Sequence, residues 1–106
     1  MCLALAEDKK AINPRVLYMG DYSPVADFVL ICSGSSDRQV KAISDSITME
    51  MKKHGQYALG VEGYNEGRWI LIDYVDLIVH IFHEDMRGFY DLENLWPDAR
   101  DITSEG

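Results

Sequence analysis

The run FVLICSG, residues 28–34, constrains this chain more than any other stretch. Its apolar residues are continuous up to the closing Ser33-Gly34. A strand with one wet face would alternate polar and apolar residues. A continuous run suits a strand covered on both faces. A helix must follow almost at once. Ser36 and Gln39 match a capping box, in which the serine caps the helix start and the glutamine reaches back. Val40, Ile43, Ile47 and Met51 then recur at helical spacing and form one apolar stripe. Lys52, Lys53 and His54 fill the last turn, where the helix dipole favours cations, and Gly55 is placed to close it. The pattern predicts a strand over 28–34 and a helix over 37–54.

The remaining segments fall around this unit. Residues 1–11 predict a short helix with Leu3, Ala6 and Lys10 on one face and Pro14 as its stop. VLYMG (16–20) and ALGVEG (58–63) read as short strands, and YNEG (64–67) as a turn. RWILIDY (68–74) and DLIVHIF (76–82) read as two strands joined tightly near Tyr74–Asp76. Residues 85–96 predict a last helix, with Met86, Phe89 or Tyr90, Leu92, Leu95 and Trp96 on a broad apolar stripe and Pro97 at its end. The order is α-β-β-α-β-β-β-α. It describes an α/β chain of mixed α+β type, a single domain over 1–96 with a polar C-terminal tail over 97–106 that frays. Its mixed sheet has about five strands flanked by helices. The β-α-β unit over 28–63 implies a right-handed parallel crossover, and the later hairpin is antiparallel.

Composition narrows the function. The 106 residues are enough to bury a core without staples. The formal net charge is −8, so a partner held by long-range electrostatics is basic. Little direct nucleic-acid binding is expected, because neutralising phosphates needs clustered Lys and Arg. Here only Lys9–Lys10 and Lys52–Lys53 are adjacent. Cys2 and Cys32 read as reduced thiols. CLALA (2–6) is too short for a signal core, and Glu7-Asp8 follow directly. No stretch approaches the roughly 20 apolar residues of a membrane span. A cytoplasmic protein with no membrane partner is expected.

Several motifs invite a chemical reading. SGSSD (33–37) lies at a strand-to-helix turn and is similar to the start of nucleotidyltransferase sites, which share a sheet topology of this kind. Those enzymes need paired carboxylates for two metal ions. Position 39 is Gln, so Asp37 lacks its pair, and a capped helix is the plainer reading. His80 and His83 are expected on opposite faces of a strand, which suits sheet packing better than a shared metal. Neither a Cys-x-x-Cys nor a His-Glu-x-x-His pattern occurs, and no metal, cofactor or catalytic residue is assigned. Tyr90 and Trp96 read as core. The hairpin differs. Strand alternation places Trp69, Leu71 and Asp73 on one face and Ile70, Ile72 and Tyr74 on the other. A carboxylate is not buried without a partner, so the Asp73 end of its face meets solvent. An aromatic beside carboxylates suits an interface anchor facing a basic partner. The plainer alternative has Asp73 and Asp76 simply bracketing a turn.

ADFVLICSGSSDRQVKAI (26–43), GVEG (60–63), GRWILIDYVDLIVHIF (67–82) and RGFYDLENLW (87–96), in that order, resemble the ribosomal silencing factor family, also called Iojap-related proteins. The resemblance covers most of the chain from Asp8 onward. It implies a non-enzymatic protein that binds the large ribosomal subunit through the fourteenth protein of its L series, which is basic. Binding there blocks joining of the small subunit and represses translation when nutrients run short. Carried over by position, the partner-binding residues are Trp69, Asp73, Tyr74 and Asp76. His80 matches a characteristic histidine of the family. A homodimer is left open, as are two alternative functions: a large-subunit assembly factor, and a nucleotidyltransferase-like enzyme built on SGSSD with Asp73 and Asp76. Two stretches depart from the family. Val75 stands where it usually has glycine, and Asn13-Pro14 where it usually has an acidic residue.

Overall fold

A computed structural model describes residues 2–19, 27–86 and 100–101. Its elements are α1 (Cys2–Asp8), β1 (Ile12–Tyr18), β2 (Phe28–Gly34), α2 (Asp37–Lys53), β3 (Gly60–Glu62), β4 (Trp69–Asp73), β5 (Leu77–His83) and β6 (Arg100–Asp101). The strands form one mixed sheet in the order β3-β4-β5-β2-β1-β6. β2 and β5 are its parallel pair, in register from Phe28↔Leu77 to Gly34↔His83. The other neighbours are antiparallel. It follows that β3 runs in the same direction as β2, as the crossover over 28–63 requires, with β5 and β4 lying between them. Of the last predicted helix, residues 85 and 86 are helical, in a segment that begins at Glu84. The rest of 85–96, with Tyr90 and Trp96, lies outside the described residues.

Both described helices pack on one face of the sheet. Val40, Ile43 and Ile47 of α2 and Ala6 of α1 are fully buried against Leu30, Cys32, Ile70, Ile72, Val79 and Ile81. Burying each Val or Ile side chain contributes about 2 kcal/mol. Cys32 is buried inside this layer. The opposite face carries a second cluster of Leu17, Met19, Val29, Ile31 and Phe82, with Trp69 and Met86 against it. β2 contributes to both clusters, which is why its apolar run does not alternate.

The two helices end by the same device. Gly55 has φ 80°, Gly55 N–H donates to the Lys52 carbonyl, and Gln56 N–H donates to the Met51 carbonyl. That is a Schellman motif, as Gly55 predicts. α1 ends likewise, with Lys10 at φ 60°, Lys10 N–H to the Glu7 carbonyl and Ala11 N–H to the Ala6 carbonyl. The predicted stop at Pro14 is therefore corrected. α1 closes at a left-handed lysine, and the freed chain enters β1 four residues before the predicted start at Val16. Asn13 has φ 47°, and the register slips by one residue between Ile12 and Arg15. The result is a β-bulge, which absorbs Pro14 and its missing N–H. At the other end of the chain, Arg100 and Asp101 of the expected polar tail pair with Tyr18 and Leu17 as an edge strand.

Gln39 joins three of these pieces. Ser36 caps α2 by accepting from Gln39 N–H at 3.1 Å. The return half of the predicted capping box lands one residue earlier. Gln39 Oε1 accepts from Ser35 N–H at 2.6 Å and from the Ser35 hydroxyl at 2.8 Å. Gln39 Nε2 then donates to the carbonyls of Lys9 and Lys10, at 3.2 and 3.0 Å. One side chain thus ties the β2–α2 turn to the end of α1. Gln39→Ala is expected to lower unfolding free energy by about 1–2 kcal/mol, the usual range for losing a cap or a small set of hydrogen bonds. Urea titration checks the total, and amide exchange should quicken in α1 before it quickens in α2.

Candidate functional site: the β4–β5 hairpin

Two glycines deliver the chain to β4. Gly63 and Gly67 have φ of 79° and 69°, where side chains are strained. A Cβ on Gly63 would collide with the Trp69 carbonyl, and one on Gly67 would lie 3.0 Å from the Asp37 carbonyl. The turn between them is fastened to α2, where the Tyr64 hydroxyl donates to Asp45 Oδ2 at 3.0 Å. β4 then pairs with β5 from Trp69↔Phe82 to Asp73↔Ile78. Its burial alternates: Ile70 and Ile72 are buried, while Trp69, Leu71 and Asp73 are half-buried. This matches the division of faces predicted from strand alternation.

At the β4 start, three rings gather across the two strands. The Trp69 indole lies on Phe82 with centroids 5.0 Å apart and planes 25° apart. The His80 ring is 5.9 Å from the indole and 6.1 Å from Phe82. Trp69 Nε1–H donates to His80 Nδ1 at 3.1 Å. His80 is buried, and burial pulls its imidazole down to about 4. Both facts describe a neutral ring: Nδ1 accepts, so the proton sits on Nε2. His80 thus packs and hydrogen-bonds within the sheet. His83 points to the other face and accepts from Asp85 N–H at 3.2 Å.

The acidic end is separate. Asp73 lies four residues along β4 from Trp69, about 13 Å away at strand rise. Asp76 is exposed at the turn beside Val75. Its carbonyl accepts from Asp27 and Phe28 N–H at 3.1 Å each, which anchors the turn to β2. Tyr74 N–H donates to the Leu77 carbonyl at 2.8 Å, so Val75 and Asp76 form the tip. Val75 keeps a negative φ, so the turn needs no glycine there. Tyr74 is only 4% exposed and packs with the helix-side core. Of the four partner-binding residues expected from the resemblance, the fold therefore places Trp69 and Asp73 on one face, Asp76 at the tip, and Tyr74 beneath the surface. Phe82 was not singled out from the sequence. It emerges as Trp69's stacking partner only once the strand register is known.

The enzyme alternative fails on distance. SGSSD follows the Gly34 end of β2, whereas Asp76 sits beside its Phe28 end. Those ends are about 20 Å apart. Asp37 cannot share metal ions with Asp73 or Asp76 across that span.

A sequence model of the family described as ribosomal silencing factor during starvation matches residues 1–106. The chain belongs to the ribosomal silencing factor family. Proteins named as ribosomal silencing factors in Halalkalibacterium halodurans and Bacillus subtilis are similar to it. The first is 44% identical over 100 residues, covering 94% of this chain and 86% of that protein. The second is 45% identical over 96 residues, covering 91% and 81%. A crystal structure of a Chromobacterium violaceum protein superimposes with a TM-score of 0.89 at 31% identity, covering 92% of this chain and 81% of that one. As a member of that family, the chain is a regulator of translation and not an enzyme. No helix among its described residues is long and apolar enough to cross a membrane.

The buried histidine sets an acid dependence. Its folded value lies below the unfolded value of 6.5, so between about 4 and 6.5 the unfolded chain binds the extra proton. The stability it contributes is present above pH 6.5 and is lost as pH falls towards 4. From pH 7 to 4.5 the loss is roughly 2–3 kcal/mol beyond that of a His80→Leu variant. Urea unfolding of the two proteins at both pH values measures the difference.

Proposed function

We propose that this protein binds the large ribosomal subunit through the fourteenth protein of its L series. There it sterically blocks association with the small subunit and represses translation under nutrient limitation, acting in the cytoplasm. The family match over the whole chain carries the reading. The net charge of −8 supports a basic protein partner. The proposed contact surface is the β4–β5 hairpin, with Trp69 as apolar anchor and Asp73 and Asp76 facing basic groups. Tyr74 supports the tip from the core beneath it. Occupancy of a site is the whole mechanism, so no residue is assigned a chemical step.

Sedimentation through a density gradient tests the outcome. The protein should travel with free large subunits and stay off joined ribosomes, and adding it should lower the yield of joined particles. Co-migration with joined ribosomes would overturn the steric mechanism.

The residues are tested separately. Trp69→Ala should weaken large-subunit binding by about 2–4 kcal/mol, as for an interface anchor. It should also cost roughly 2 kcal/mol of folding, since half-burial on Phe82 and His80 puts it below the full core range. Titrating binding at a temperature where the variant is folded separates the two effects.

Charge is read through salt. Exposed pairs are screened over about 8 Å at physiological ionic strength, so affinity should fall as salt rises. Asp73→Asn with Asp76→Asn should flatten that dependence. A wild-type affinity that is level across salt would remove the role given to the carboxylates.

A further inference from the structure

We propose that His80 is a positioning residue for the partner site: it holds the Trp69 indole in one pose and consumes its only hydrogen-bond donor, so that a partner meets the ring as an apolar surface. The inference rests on the reading of the hairpin as the partner-binding surface and adds how its anchor is prepared.

An indole has a single polar handle, the Nε1–H. On a half-buried anchor that group commonly serves the partner. Here it is already used, donated to His80 Nδ1 at 3.1 Å. The acceptor is itself buried and sits on β5, whose register with β4 is set by backbone pairing. Phe82, two residues further along β5, supplies the second support by stacking at 5.0 Å. One contact fixes the indole's rotation and the other fixes its tilt. Neither depends on a partner. An anchor ordered before binding avoids the cost of freezing it at the interface. His80 is buried, so its effect on binding passes through Trp69.

A merely structural histidine would affect stability alone, and binding separates the cases. His80→Leu keeps an apolar buried side chain but offers no acceptor. His80→Asn offers an oxygen near the position of Nδ1. Immobilising one side chain corresponds to about three- to tenfold in affinity, so His80→Leu should weaken large-subunit binding by that factor while remaining folded. His80→Asn should recover most of it. In a Trp69→Phe background, which lacks the donor, His80→Leu should have no further effect. Equal binding by wild type and folded His80→Leu, with Trp69→Ala still defective, overturns the inference and leaves the hairpin reading standing. Full binding by Trp69→Ala overturns both. Nitrogen-15 NMR of the unsubstituted protein gives a test independent of any variant's folding. The inference requires His80 to be protonated at Nε2 and the Trp69 indole proton to exchange slowly with solvent. A proton on Nδ1, or a fast-exchanging indole, overturns it.

Discussion

The parallel pairing of β2 with β5 is the constraint on which the rest of the molecule depends. β2 is apolar on both sides, so it is stable only at the centre of a covered sheet. Placing β5 beside it carries the hairpin into that centre. From there, α2 is drawn onto one face by Val40, Ile43 and Ile47, and β4 is laid along the outer side of β5. The hairpin tip is fastened to the same pair, through the Asp76 carbonyl and the N–H groups that open β2. A surface built this way is stiff at its base, which suits the steric role proposed for it.

The hairpin divides into two kinds of surface. Its start is a three-ring stack that is largely dry and held by one neutral hydrogen bond. Its tip is acidic and wet, with Val75 72% exposed beside Asp76. Asp73, where β4 ends before the tip, is already about 13 Å from Trp69 along the strand. Salt acts mainly on the tip, while packing governs the stack. In the proposed function, that separation assigns the approach of a basic partner to charge and its residence to the aromatic end. The same division explains why Tyr74 and Asp76, close in sequence, end in opposite environments. Tyr74 packs into the helix-side core at the end of β4, whereas Asp76 lies beyond it at the tip of the turn.

Much of this was legible in the residues. The strand over 28–34, the helix from Asp37, its cap at Ser36 and its glycine stop follow from short-range rules, in which each residue acts on neighbours a turn away. The same holds for the faces of β4, because alternation needs only one strand. The family resemblance added the kind of function, and the match across the chain bears out the family. Local rules were less reliable near the N-terminus. Pro14 is a helix breaker in isolation, but here the chain had already turned at Lys10, and the sheet absorbed the proline as a bulge.

What the sequence alone determined is which segments fold and which faces are apolar, since both depend on periodicity and caps within one element. What only the tertiary structure decided is which residues meet. The hairpin shows why. A turn centred on Val75 would pair Trp69 with Ile81, and the observed turn, centred between Val75 and Asp76, pairs it with Phe82. A shift of one residue on β5 would send His80 and Phe82 to the other face, away from the indole. No local signal in Tyr74–Asp76 chooses between these registers. The choice is made by the parallel neighbour β2, which must bury Val79 and Ile81 under the helices with Leu30 and Cys32, and so leaves His80 and Phe82 on the face of Trp69.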